Sequence, residues 1–73
     1  MKILPRDYEV KIWWSEEDQL FLAQVIEMPG IMAHGNTRAE AAREIELALE
    51  LAIEVAEEHG DLLPVPRRHI AAN

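Results

Sequence analysis

A chain of 73 residues is one domain at most, and its core is marginal on its own. It has no cysteine, which excludes a disulfide framework and a thiolate metal site and leaves self-association as the obvious remaining source of buried surface. The formal net charge of −7, from 14 Asp and Glu against 7 Lys and Arg, argues against a phosphate-backbone binder, whose affinity rests on clustered cations, and suits a basic partner.

Met1 to Pro5 leads straight into charged residues, unlike a signal peptide, and no run approaches the roughly 20 apolar residues of a membrane span. The expectation is a soluble, cytoplasmic protein. Asp7 to Trp14 then alternates with period 2: Tyr8, Val10, Ile12 and Trp14 face one way, and Asp7, Glu9, Lys11 and Trp13 the other. This predicts a half-buried strand. Ser15-Glu16-Glu17-Asp18 is a polar turn, and Gln19 to Glu27 is a second run in which Phe21, Ala23 and Val25 share one face while Leu20, Leu22 and Ile26 share the other. A strand apolar on both faces is usually covered on both. The two runs read as a β-hairpin. Pro29-Gly30 marks a turn, and Ile31 to His34 a short third strand.

Thr37 and Glu40 have the spacing of a capping box, in which Thr37 accepts from the Glu40 backbone N–H and the Glu40 side chain reaches back. From Arg38 to His59 there is no Gly or Pro, and Gly60 follows as the residue that ends the helix. Around Ile45 on a helical wheel gather Ala41, Ala42, Ala48, Leu49, Ala52, Ile53 and Ala56. Leu51 and Val55 widen the apolar arc to roughly 200°, about twice what one packing surface requires. The excess points to a second partner, so Leu51 and Val55, with Leu47 at the margin, are expected to be covered by another subunit. Asp61 to Pro66 can make only a short edge strand because of its two prolines. Residues 67–73 read as a C-terminal tail. The order β-β-β-α-β gives a single α+β domain over residues 1–66, with one long helix against one face of a three-stranded antiparallel sheet and a short edge strand.

Asp18-x-x-Phe21, Glu27-Met28-Pro29-Gly30, Gly35-Asn36-Thr37-x-x-Glu40-Ala41, Gly60 and Leu63-Pro64-Val65-Pro66 follow one another in an order and spacing that resembles the HicB-like antitoxin family. The motif positions Pro29, Gly30, Gly35, Thr37, Glu40 and Gly60 carry structure rather than chemistry. The resemblance implies a reduced RNase H-like fold that has lost its carboxylate cluster. It also implies a partner, a small basic HicA-type toxin that cleaves mRNA and has a double-stranded-RNA-binding-like fold. Many family members add a C-terminal DNA-binding motif. This chain shows none, so operator binding is not carried over and direct DNA binding is not expected.

No catalytic, metal-binding or cofactor-binding set is predicted. Glu16, Glu17 and Asp18 are consecutive carboxylates in a turn and lack the spacing to enclose an ion. His34, His59 and His69 are dispersed, whereas a zinc site needs three or four convergent ligands. His59 suits the helix C-terminus. A hydrolase using His34, Asp7 or Glu9 is the reading from another class, and no partner for such chemistry lies at an interpretable spacing. Arg67, Arg68 and His69 are the only basic cluster, short of the stripe that nucleic acid needs. Trp13 on the polar face of the first strand is expected to be exposed in a monomer and therefore to serve an interface. Trp13, Leu47, Leu51 and Val55 are thus the candidate partner or subunit contacts. The expected function is a non-enzymatic antitoxin-type binding module that forms dimers or tetramers, with a solitary homo-oligomer of unknown ligand or structural role as the alternative.

Overall fold

The computed structural model describes residues 3–66, and the basic cluster at residues 67–69 lies outside them. Three strands form one antiparallel sheet in the order β1-β2-β3: β1 (Val10–Ser15), β2 (Leu20–Val25) and β3 (Met32–Gly35). Helix α1 (Arg38–His59) covers one face. The architecture is therefore α+β, with element order β-β-β-α. No helix among the described residues is long and apolar enough to cross a membrane.

The first predicted strand begins three residues late. Pro5 opens a short 3-10 turn, Pro5–Asp7, in which the Asp7 carboxylate accepts from the Leu4 backbone N–H at 2.8 Å. Proline at the first position of a helical turn has no donor to lose. Asp7 thus closes a turn instead of extending a strand, although its alternation with Tyr8 and Glu9 imitates one. The hairpin loop Glu16–Gln19 then closes through the Gln19 N–H on Ser15 O at 2.8 Å, and the Asp18 N–H donates to Ser15 Oγ. Gln19 adopts φ 56°, the left-handed conformation that turns the chain back into β2.

Register decides which side chains meet the helix. Val10 pairs with Val25, Ile12 with Ala23 and Trp14 with Phe21; on β3, Ala33 opposes Ala23 and Gly35 opposes Phe21. These residues share the face beneath α1, because directly opposed residues in an antiparallel sheet project to the same side. Ala23, Val25, Ala41, Ile45, Leu49 and Ile53 are buried there, joined by Tyr8. The helix presents the 3.6-residue spacing that the sequence predicts.

Both helix ends are chemically marked. Thr37 Oγ1 accepts from the Glu40 backbone N–H at 3.0 Å. The Glu40 carboxylate reaches back one residue further than a standard capping box, to the Asn36 N–H at 2.8 Å. At the other end Gly60 takes φ 70°, and the Asp61 N–H bonds to Ala56 O at 2.9 Å, a Schellman closure. Gly35 is required for a different reason. A Cβ built on it would lie 2.5 Å from the Ala41 backbone nitrogen, so only glycine lets β3 approach the first turn of α1 this closely.

The expected fourth strand does not form. Residues 61–66 run on without joining the sheet, because Pro64 and Pro66 have no N–H to offer a ladder. The segment is held by side chains instead: the Tyr8 hydroxyl donates to Pro64 O at 2.8 Å, Leu63 packs on the core, and Pro66 is buried. Within one chain, β2 is covered on one side. Its helix face is covered, but its other face has no layer above it among the described residues.

Candidate functional site

Three surfaces on this fold have chemical character, and each follows from the helix wheel or the sheet register. The first is the flank of α1 that leans toward β3. Ala48, Ala52 and Ala56 recur at four-residue spacing and leave a shallow floor, while Leu51 and Val55 stand at its rim. Gly30, Ile31 and Met32 form the opposite wall. The result is an open, mostly apolar groove of about 490 Å³. Leu51 is 62 % exposed and Val55 42 %, so the predicted excess of the apolar arc is left uncovered by the sheet. Met32 at 48 % and Leu47 at 53 % border it.

The opposite flank of α1 is acidic. Glu46, Glu50, Glu54 and Glu57 are exposed over three turns, and no Lys or Arg follows Arg43 in the helix. Glu50, Glu54 and Glu57 rim a smaller recess of about 190 Å³ whose apolar floor is formed by Ile3, Leu4, Pro5 and Ile53. The helix thus carries an apolar flank toward β3, with the exposed Glu44 and Glu58 at its two ends, and a continuous row of carboxylates toward the Pro5–Asp7 turn.

The third surface is the outer face of the sheet. Trp13, Leu22 and His34 lie in one cross-strand row, and Lys11, Gln24 and Met32 in the next. Trp13 is half-buried, with Lys11 Nζ 4.9 Å from its ring centroid, and is less exposed than expected. Trp14 is the more exposed ring, at 43 %. It stands on the helix face, as its parity predicts, but at the end of the strand that α1 meets least. It packs edge-on against Phe21 at 5.1 Å, and Arg38 lies over the same Phe21 ring at 5.1 Å. Alternation correctly assigned the faces but carried no information on how far the helix extends across them.

The four predicted interface residues therefore fall on two surfaces. Leu51 and Val55 meet at the groove with Leu47 beside them, whereas Trp13 lies on the far side of the sheet. The missed members are Met32 and the alanine floor, signalled in sequence only by the Ile31-Met32 pair following a turn and by the spacing of Ala48, Ala52 and Ala56. The residues weighed for catalysis do not converge. His34 is exposed on the outer face, and the Asp7 carboxylate is engaged by Leu4. The Glu9 backbone N–H donates to the Glu27 carboxylate at 3.1 Å. Among the described residues no group of three or more His, Cys, Asp or Glu is placed to hold a metal ion. Burial, with Glu27 and Asp7 nearby, pushes the Tyr8 hydroxyl above the usual phenol pKa, so it remains a hydrogen-bond donor to Pro64 O at neutral pH.

No protein-family model, characterised protein or solved structure matches this chain.

Proposed function

We propose that this chain is a cytoplasmic, non-catalytic protein-binding module of the HicB antitoxin type, which captures a small basic HicA-type toxin against the acidic flank of α1. The observation that carries the proposal is the continuous row of carboxylates along one flank of the helix. Glu46, Glu50, Glu54 and Glu57 follow one another at spacings of four, four and three residues. Like charges at such spacings destabilise a helix by about 0.2 to 0.5 kcal/mol per pair, so these three pairs together cost about 1 kcal/mol. A cationic partner surface removes that cost on binding. It also meets the apolar recess formed by Ile3, Leu4 and Ile53, which provides an anchor that charge alone lacks. An RNA-cleaving toxin must hold phosphates with cations, so an acidic surface seated on it competes with RNA.

The test is co-purification with the short basic protein encoded by a neighbouring reading frame, followed by stopped-flow association. Replacing Glu46, Glu50, Glu54 and Glu57 by Gln is expected to slow association at low salt at least about tenfold while leaving the helix intact, because steering depends on the summed field. No complex, or an unchanged rate, removes the antitoxin function.

A further inference from the structure

The other flank of α1 fits a different occupant. We propose that a second copy of this chain docks there, with the two β3 strands pairing antiparallel about a two-fold axis at Ala33 so that two three-stranded sheets become one of six. The Val25 N–H bonds to Ile31 O at 3.1 Å, which makes Val25 and Ile31 a hydrogen-bonded pair. Bonded and non-bonded pairs alternate along an antiparallel ladder. Ala33 and Gly35 therefore direct their backbone groups at β2, while Met32 and His34 direct theirs at the open edge. That edge is not paired with any other strand among the described residues. Placed on a two-fold axis at Ala33, Met32 of one copy opposes His34 of the other, and the two pairs exchange their outward N–H and C=O groups.

Helix position agrees with this pairing. Among the strands, α1 makes its most extensive contact with β3 and its next with β2. A helix centred over the β2–β3 pair stands about 5 Å from the shared edge, given a strand spacing of about 4.8 Å, so the two helices come to lie about 10 Å apart. That is close to the 8 to 10 Å at which helices pack. The side chains that meet are Leu51 and Val55 from each copy, across the alanine floor. The four carboxylates of the acidic flank lie on the far side of each helix, while the exposed Glu44 and Glu58 stand at the two ends of the Leu47–Leu51–Val55 row, so the apolar centre of the contact is free of charge. A stable interface takes about 800 Å² from each partner, roughly 15 % of this chain's 5238 Å². The strand edge alone is too small, and the exposed rows Leu47–Leu51–Val55 and Met32 must join it. The acidic flank stays open in such a dimer, so this assembly is independent of toxin capture.

Sedimentation at micromolar concentrations should give twice 8.3 kDa. Leu51→Glu, at an exposed position that the monomer tolerates, should weaken the dimer at least about 30-fold by leaving an unpaired charge in a dry contact. His34→Pro removes an edge-facing donor while sparing the ladder to β2, and should yield a folded monomer. The chain has no cysteine, so Ala33→Cys provides a single thiol. Two such thiols at a non-hydrogen-bonded pair, with Cα atoms about 4.5 Å apart, are within disulfide reach. Oxidation should give a covalent dimer. Leu22→Glu on the outer sheet face should leave the dimer intact. A monomeric wild type overturns the proposal, as does a dimer broken by Leu22→Glu but not by Leu51→Glu.

Discussion

Two positions, Gly35 and Tyr8, show how local chemistry sets the tolerance of this fold. Gly35 has no space for a methyl group: the nearest obstacles are the backbone nitrogen of Ala41 at 2.5 Å and the Glu40 Cβ at 2.8 Å, both fixed by the first helical turn. Gly35→Ala should therefore cost about 1 to 3 kcal/mol in urea unfolding, the range for overpacking. Gly30→Ala provides the contrast, since nothing lies within 4 Å and its φ is not positive; it should change stability by no more than about 0.5 kcal/mol. Tyr8 is the buried titratable group at the join between the Pro5–Asp7 turn and residues 61–66. Its hydroxyl pKa is raised in the folded state by burial and by the charges of Glu27 and Asp7. The unfolded chain therefore loses this proton first, at about pH 10. The stabilising contribution is fully present below that pH and is lost as pH rises through the raised folded value. Alkaline titration of the wild type should show a drop in unfolding free energy beginning near pH 10. In Tyr8→Phe that drop should shrink, and stability at neutral pH should fall by about 1 kcal/mol through the lost bond to Pro64 O.

At the scale of elements, the parts with chemical punctuation were legible and the parts fixed by reach were not. Helix α1 runs from Arg38 to His59 as the sequence predicts, because Thr37 and Gly60 mark its ends with groups that satisfy the terminal backbone. Thr37→Ala should cost about 1 kcal/mol by thermal or urea unfolding, with the loss confined to stability. The hairpin of the first two strands and the sharing of one face by Val10 and Ile12, and by Phe21, Ala23 and Val25, were also legible from period 2, whereas the choice of the inward face of β2 was not. Alternation misled at Asp7–Glu9, where Pro5 was the sign of a turn. The short edge strand expected for residues 61–66 is instead a segment whose anchor, the Tyr8 hydroxyl, lies 56 residues from Pro64 in sequence and leaves no periodic trace. The candidate surfaces divide in the same way. Leu51 and Val55 emerged from the width of the helical arc, a local property. Met32 at the groove and Trp14 at the sheet margin depended on where α1 stops covering the strands, which is a property of packing.

At the scale of the whole molecule, the two associations proposed for the flanks of α1 should respond to salt in opposite senses. The proposed self-association joins two chains that each carry −7, so long-range repulsion would oppose the encounter while Leu51, Val55 and the β3 edge would hold the pair together. Capture of a basic protein joins opposite charges, so the field assists it. Added salt shortens the Debye length from about 10 Å at 0.1 M to about 3 Å at 1 M, which weakens both fields and leaves apolar contacts largely in place. The dimer should therefore tighten as salt rises, and toxin association should slow. Sedimentation of the chain alone and stopped-flow mixing with the toxin, each across that salt range, separate the two cases. The Gln variant at positions 46, 50, 54 and 57 sharpens the comparison: it should flatten the salt dependence of both processes while tightening the dimer and weakening capture. If both associations weaken with salt in the wild type, the self-contact is ionic rather than apolar, and the groove beside β3 is not its site.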